Sequence, residues 1–517
     1  MNASPVIPAV PAKSLRGNRR IAGATVATLA LVITLLTVFA PDASAVPSYS
    51  RRYGMECQGC HTVWGALNGA GVTFRLSGYR AINGNKLTPV SEDIEIAKGV
   101  AIPTTLPLSF ITGVGYDQRT EKRTASDGTS NTARGSSLAL EDASIFMTSP
   151  MGSRFSAFVE FPMYETKSWE FTPTGQYEAN NTSRSSKIQF QAEKPGFEVA
   201  KFFWNNLAGD ALPRDSFNAL AGITHLPLGY ASGKVRLSVN QYLIYERRAL
   251  DYISPRKPSD VFGDADEYAF RLGEPQILAE INGMLTFGKP VTDVSKRDTF
   301  WAEYHLGFTN GSNDKADNNT QKDVYGRWVM RYYNQSLGFS AYRSSDTYDD
   351  TLRANASITG NPDGSGIMSG RQDANKMTRI GVDGTLSLVP LGVPVWLENQ
   401  YMSNRESNPT GFGQEFKWRG GFHQLNWQFA KPGIAYARYD WVKGDNINDT
   451  GVTVNGVTGI TNSTPREWDI VAGVQYLIDQ NMKLIGEFRH HTFEDTAGPA
   501  TARLKDDGFT FRVMLGF

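Results

Sequence analysis

From residue 107 onward the chain changes sides again and again. Over residues 277–287, Ile277, Ala279, Ile281, Gly283, Leu285 and Phe287 alternate with Glu280, Asn282 and Met284. Over residues 300–308, Ala302, Tyr304, Leu306 and Phe308 stand against Glu303 and His305. Residues 423–429 set Leu425, Trp427 and Phe429 against Gln424, Asn426 and Gln428, and residues 433–441 and 469–477 continue the pattern. Period-two alternation describes a strand with one apolar and one polar face. Long polar connections, such as residues 309–321 and 345–366, separate some strands, while tight joints such as residues 429–433 separate others. Such a mixture predicts an antiparallel meander whose two ends differ.

A soluble β-sandwich also alternates, but two features favour a transmembrane barrel. Many strands reach about ten residues, the length a tilted strand needs to cross the hydrocarbon layer. Aromatic residues gather at strand ends, as in Trp328, Tyr332 and Tyr333 or Trp396 and Tyr401, which fits interfacial girdles. Roughly 16 to 17 candidate strands fit into residues 107–517, and single-chain bacterial barrels are even-numbered, so 16 is expected and 18 comes next. Phe509, Phe511, Val513, Leu515 and Phe517 fall on one face of the final strand. A last strand ending in Phe resembles the assembly signal of outer-membrane proteins.

Composition agrees with many strands: 50 Gly, 28 Phe, 21 Tyr and 10 Trp occur without helical heptads. Lys+Arg and Asp+Glu balance at 52 each, which gives no reason to expect a nucleic-acid partner. At the N-terminus, Lys13, Arg16, Arg19 and Arg20 precede an uncharged run over residues 21–40, then Pro41 and the small residues Ala43, Ser44 and Ala45. Basic, apolar, small is the order of a secretory signal peptide, so residues 1–45 are expected to be removed. The run is also long enough to be an inner-membrane anchor. An outer-membrane barrel cannot keep such an anchor, so cleavage is the better reading.

The candidate chemistry follows at once. The only two cysteines of the 517-residue chain, Cys57 and Cys60, stand directly before His61. A disulfide would close a very short loop and stabilise little. A tetrahedral metal site lacks its second pair of ligands. C-x-x-C-H instead suits covalent haem: two thioethers to the vinyl groups and an imidazole on the iron. Cys57 and Cys60 are therefore the expected attachment points of one haem c, and His61 its axial ligand. No Walker loop, zinc-protease motif or second haem motif is found.

Only about forty residues separate the motif from the first strand, roughly half of what a free-standing cytochrome uses to cover a haem. Residues 46–103 are thus read as a monohaem segment that plugs the lumen of the barrel formed by residues 104–517. No Met or His lies between residues 62 and 146, so the barrel wall has to supply any distal ligand. Strand parity puts Met284, His305 and His491 on the polar face, turns His423 and His490 outward and leaves His225 near a turn. Each of these is read first as ordinary lumen wall. Arg51, Arg52, Arg75 and Arg80 are candidates for the haem propionates. The acidic loop groups Asp264/Asp266/Glu267 and Asp346/Asp349/Asp350 read mainly as solvated charge.

This order of parts resembles the outer-membrane fused monohaem cytochrome–porin family of aerobic Fe(II)-oxidising bacteria. The specific part of the likeness is Cys57, Cys60, His61, Leu67, Gly71, Phe74, Leu76 and Gly78-Tyr79. Gly65 stands where the likeness expects Pro and Val72 where it expects a basic residue; haem attachment does not depend on either. The resemblance implies oxidation of extracellular Fe(II), with the electron passing through the haem to a periplasmic cytochrome c or copper protein. The barrel itself would contact outer-membrane lipid. Two other functions stay open on the residues alone: a diffusion porin or transporter with a haem plug or sensor, and electron export to an extracellular acceptor.

Overall fold

A computed structural model describes residues 48–516 apart from 55–58, 64–65, 81–92, 99, 105, 125–127, 153, 173–186, 193–196, 231–235, 248–269, 288–299, 312–320, 348–373, 408–414, 446, 449–452, 455–456, 459–460, 480 and 496–501. The expected signal peptide, Cys57, Phe517 and most of the acidic loop groups lie outside the described residues.

Sixteen antiparallel strands close into a barrel. In chain order they are β1 (Leu108–Thr124), β2 (Ser130–Met151), β3 (Phe155–Thr172), β4 (Val199–Trp204), β5 (Asn218–Thr224), β6 (Gln276–Thr286), β7 (Phe300–Thr309) and β8 (Asp323–Tyr332). There follow β9 (Gln335–Thr347), β10 (Ala374–Ser387), β11 (Val395–Glu406), β12 (Phe416–Ala430), β13 (Gly433–Gly444), β14 (Arg466–Asp479), β15 (Met482–Asp495) and β16 (Ala502–Gly516). Every neighbour in the ring is also a neighbour in sequence, except that β16 returns to β1, with Phe511 opposite Tyr116 and Leu515 opposite Thr112. A further strand, Lys187–Ala192, pairs with the far half of β3, beyond the stretch that pairs with β4. The expected all-β, sixteen-strand antiparallel barrel is what the chain forms.

The barrel is apolar outside and polar inside, the reverse of a soluble domain. On β7, Leu306 and Phe308 are exposed while Glu303 and His305 are buried. On β12, Leu425, Trp427 and Phe429 are exposed while Gln424 and Asn426 are fully buried. Exposed apolar rows with buried charge between them suit lipid on one side and a packed polar lumen on the other. The inward charges are paired: Arg327 with Asp383 at 2.7 Å and Arg489 with Asp469 at 2.9 Å. Removing one member of such a desolvated pair costs about 3–5 kcal/mol.

Among the described residues, two segments enter the lumen from opposite ends. The first is the stretch before the barrel. It begins with helix α1 (Ser48–Tyr53), continues through a two-strand hairpin, His61–Val63 with Ala66–Leu67, and ends with helix α2 (Gly69–Leu76). It is tied to the tight-turn end. The Ser48 amide donates to Ser109 Oγ at 2.6 Å, its hydroxyl bonds Thr148, and Arg51 donates to the carbonyl of Leu108. A small separate hairpin, Asp93–Ala97 with Val100–Pro103, links it to β1, and Asp93 accepts from Arg52 at 2.7 Å.

The second segment is the connection between β5 and β6, which enters from the other end. Its helix α3 (Leu243–Glu246) and the preceding Tyr242 include four fully buried residues, Tyr242 to Tyr245. Tyr242 stacks on Phe422 at 3.8 Å and sits under the Arg438 guanidinium at 4.6 Å. The Leu243 amide donates to Asp440 at 2.9 Å, and Arg247 forks onto Glu467. Sequence alternation does not predict this inward fold, since the segment reads as a loop. Its signal is the run Tyr242–Leu243–Ile244–Tyr245, which is too apolar for a solvated connection.

Candidate functional site

The hairpin that carries Cys60 and His61 is built for close packing. Asn68 caps α2 by accepting from the Gly71 amide at 3.0 Å. Its own backbone amide donates to the Cys60 carbonyl at 2.9 Å, so helix start and hairpin are one unit. Gly71 lies against that carbonyl, and a Cβ there would overlap both the Cys60 oxygen and the Leu67 side chain. Gly71→Val is therefore expected to push α2 off the hairpin, at a cost beyond the about 1–3 kcal/mol typical of overpacking. Less of the haem expected at Cys57 and Cys60 per folded barrel, measured by haem stain against heat-modifiable protein, checks this.

The remaining residues of the sequence motif anchor the segment to the barrel wall. Gly78 and Tyr79 both take positive φ, 66° and 62°, and this left-handed pair ends α2 and swings the Tyr79 ring outward. The ring stacks on Tyr49 at 5.1 Å and on Phe158 at 5.3 Å, and meets the edge of Phe203 at 5.4 Å. Phe74 fills the gap between Tyr49 and Tyr53 in edge contacts at 5.2 and 5.7 Å. Lys201 on β4 lies over the Phe158 ring at 5.2 Å.

Between the two lumen segments lies a cavity of about 340 Å³. Its lining is mostly apolar and aromatic. Cys60, His61 and Arg75 come from the N-terminal segment, His225 and Leu226 from the start of the inward connection, and Glu280, Asn282, His305 and Arg327 from β6 to β8. Cys60 is half-buried. His61 Nδ1 is buried without a hydrogen-bond partner. Burial, aided by the Lys483 charge, pushes the His61 pKa down to about 4, so the imidazole is neutral at neutral pH. A thiol and a neutral imidazole on a mostly apolar cavity fit a covalently held haem: the donors are of the right kind and most of the lining is apolar.

The other sequence candidates divide sharply. His305 lines the cavity together with His61. Met284 shares the lumen face of β6 with Glu280 and Asn282 but does not line the cavity. His491 is buried against acids, Nδ1 2.6 Å from Asp469 and Nε2 3.2 Å from Glu467, and also lies off the cavity. His423 and His490 point outward, toward Asn399 and Asp507. Of the four arginines, only Arg75 lines the cavity, and its burial lowers its pKa. Arg52 is taken by Asp93 and Arg51 by the Leu108 carbonyl. Among the described residues, no cluster of three or more His, Cys, Asp or Glu is arranged to hold a metal ion by itself.

Sequence reasoning does not single out Glu280, Asn282, Lys201 or Arg327. Each is an inward residue of a regular strand, and parity gives the face without giving the height in the barrel. His225 is visible only as a residue near a turn, because nothing local shows that the turn opens into the lumen.

No protein-family model matches the chain, and no curated protein matches it. Several solved structures do. The outer membrane channel DcaP of Acinetobacter baumannii is 7% identical over 79% of this chain and 97% of its own, with a TM-score of 0.39. The anion-selective porin from Comamonas acidovorans is 10% identical over 79% and 99%, with a TM-score of 0.42. Salmonella typhi OmpF in complex with daunomycin is 11% identical over 82% and 100%, with a TM-score of 0.39.

Proposed function

We propose that this chain is an outer-membrane electron-transfer protein. In this reading it holds one haem c through Cys57 and Cys60 with His61 on the iron, takes electrons from extracellular Fe(II), and delivers them to a periplasmic cytochrome c or copper protein. The observation that carries the reading is the position of Cys60 and His61 on a mostly apolar cavity inside a barrel whose outer face is apolar. Haem c bound there supplies a one-electron Fe(III)/Fe(II) couple.

The chain's own residues supply the rest. His61 offers a neutral imidazole, and Arg75 places a guanidinium beside the same cavity, suited to a carboxylate. Tyr79 and the rings around it wall the cavity on the side of the N-terminal segment. In barrels of this kind tight turns face the periplasm and long loops face out. On that orientation the N-terminal segment is the periplasmic contact, and the β5–β6 connection lies between the cavity and the exterior. Fe(III) is poorly soluble near neutral pH, so oxidising iron at the outer face keeps mineral out of the cell.

The charged lumen wall, with Arg327, Arg379, Arg438 and Arg489 all inward, favours a second reading. A diffusion porin or transporter, with the haem segment as plug or sensor, also needs such a wall. Anaerobic stopped-flow mixing of the purified oxidised protein with Fe(II) tests the first reading. Reduced haem bands are expected to grow on mixing. An unchanged haem spectrum together with steady channel conductance in planar bilayers overturns it in favour of the second.

A further inference from the structure

The reading above leaves the second axial position of the iron unassigned, and the present inference rests on that reading. We propose that His305 fills it through Nε2, and that Glu280 is the positioning residue that turns the imidazole toward the cavity.

His305 sits on the lumen face of β7 and is buried. Opposite it on β6 is Asn282, and both line the cavity. His305 Nδ1 lies 2.7 Å from Glu280 Oε1. That carboxylate is itself held twice, by Asn282 Nδ2 on Oε1 and by the Tyr325 hydroxyl on Oε2, each at 2.8 Å. A carboxylate surrounded by donors accepts, so Nδ1 donates to Glu280, and Nε2 is the nitrogen that a metal would take by displacing any proton it holds. Carboxylate on one ring nitrogen and metal on the other is the usual arrangement for a metal-binding histidine.

Nε2 is buried and makes no hydrogen bond. The nearest acid, Glu303 Oε1, stands 3.6 Å away, and the other oxygen of Glu303 takes Arg331 Nε at 3.0 Å. An orphaned buried nitrogen costs about 1–3 kcal/mol, a cost that a Lewis acid in the cavity removes. Met284 and His491 are off the cavity, and His491 has an acid within hydrogen-bond distance of both nitrogens, at 2.6 and 3.2 Å, where the acid beside His305 Nε2 stands off at 3.6 Å. His225 lines the cavity but sits on irregular chain after β5, where a ligand is held less firmly than on a strand.

The test uses the full chain, purified with its haem, and reads the spin state of the oxidised protein by optical and electron paramagnetic resonance spectroscopy. Haem stain and heat-modifiability are measured on every variant. Wild-type protein is expected to be low-spin. His305→Ala should become high-spin at unchanged haem content, and added imidazole should restore the low-spin form. His225→Ala should stay low-spin. Glu280→Gln should also stay low-spin but with a raised midpoint potential, since the imidazole loses an anionic partner. If His305→Ala gives no heat-modifiable barrel, His305→Met replaces it and should shift the spectrum to that of a sulfur ligand with a higher potential. A low-spin His305→Ala, a His305→Met spectrum like wild type, or loss of low spin in His225→Ala alone overturns the assignment. So does a five-coordinate wild type, while leaving the electron-transfer reading intact. A chain that carries no covalent haem overturns both.

Discussion

A Cys60→Ala chain is expected to insert as a complete barrel and yet lose its haem from denaturing gels, or keep it through Cys57 alone. The side chain of Cys60 lies on the cavity, while its carbonyl is what joins the hairpin to α2. Alanine keeps that carbonyl and its bond from the Asn68 amide, so packing should change little. What disappears is a thioether partner. Haem stain per barrel is the measurement, with a pyridine haemochrome spectrum to separate one thioether from two. A haemochrome spectrum and stain identical to wild type in this variant would mean that Cys60 forms no thioether and would sink the two-thioether reading of Cys57-x-x-Cys60-His61.

The second large effect is expected from Tyr79→Ala. Truncating a large buried aromatic typically costs about 3–5 kcal/mol, and stacked or edge contacts add to the area term. Tyr79 makes such contacts with Tyr49 and Phe74 on its own segment and with Phe158 and Phe203 on the wall. Gly78 adds a second constraint at the same place, because a Cβ there would run into Asn205 and Ser156. Losing the ring should therefore undock the segment while β1 to β16 stay paired. Single-channel recordings in planar bilayers should show larger and noisier conductance than wild type, with unchanged heat-modifiability. Wild-type conductance in a barrel lacking this ring would mean that Tyr79 is not the anchor.

Much of the barrel is legible in the sequence because a membrane enforces alternation. Leu425, Trp427 and Phe429 must face lipid and Gln424 and Asn426 must not, so each strand declares both faces. The hairpin is legible for a different reason: both thiols of the chain and an adjacent imidazole fall within one short stretch. The β5–β6 connection is not legible, since an inward-folded loop obeys no period and its burial depends on partners hundreds of residues away, such as Asp440 and Glu487. Met284 and His305 illustrate the other limit. Parity puts both inside, but Met284 pairs with Glu303 while His305 pairs with Asn282, and that offset of one diagonal decides which reaches the cavity.

The enclosure of the Cys60 hairpin also fixes an order of events in the life of the chain. The hairpin precedes β1 in sequence, yet in the finished protein it is surrounded by a ring that closes only when β16, the last strand made, pairs with β1. A haem-attaching enzyme is itself a folded protein and cannot enter a lumen already filled from both ends. On the proposed function, thioether formation would therefore have to be complete before the ring closes. Barrel assembly would then wrap the wall around a finished cofactor segment, and a barrel that closed early would be a dead end that no later supply of haem could repair.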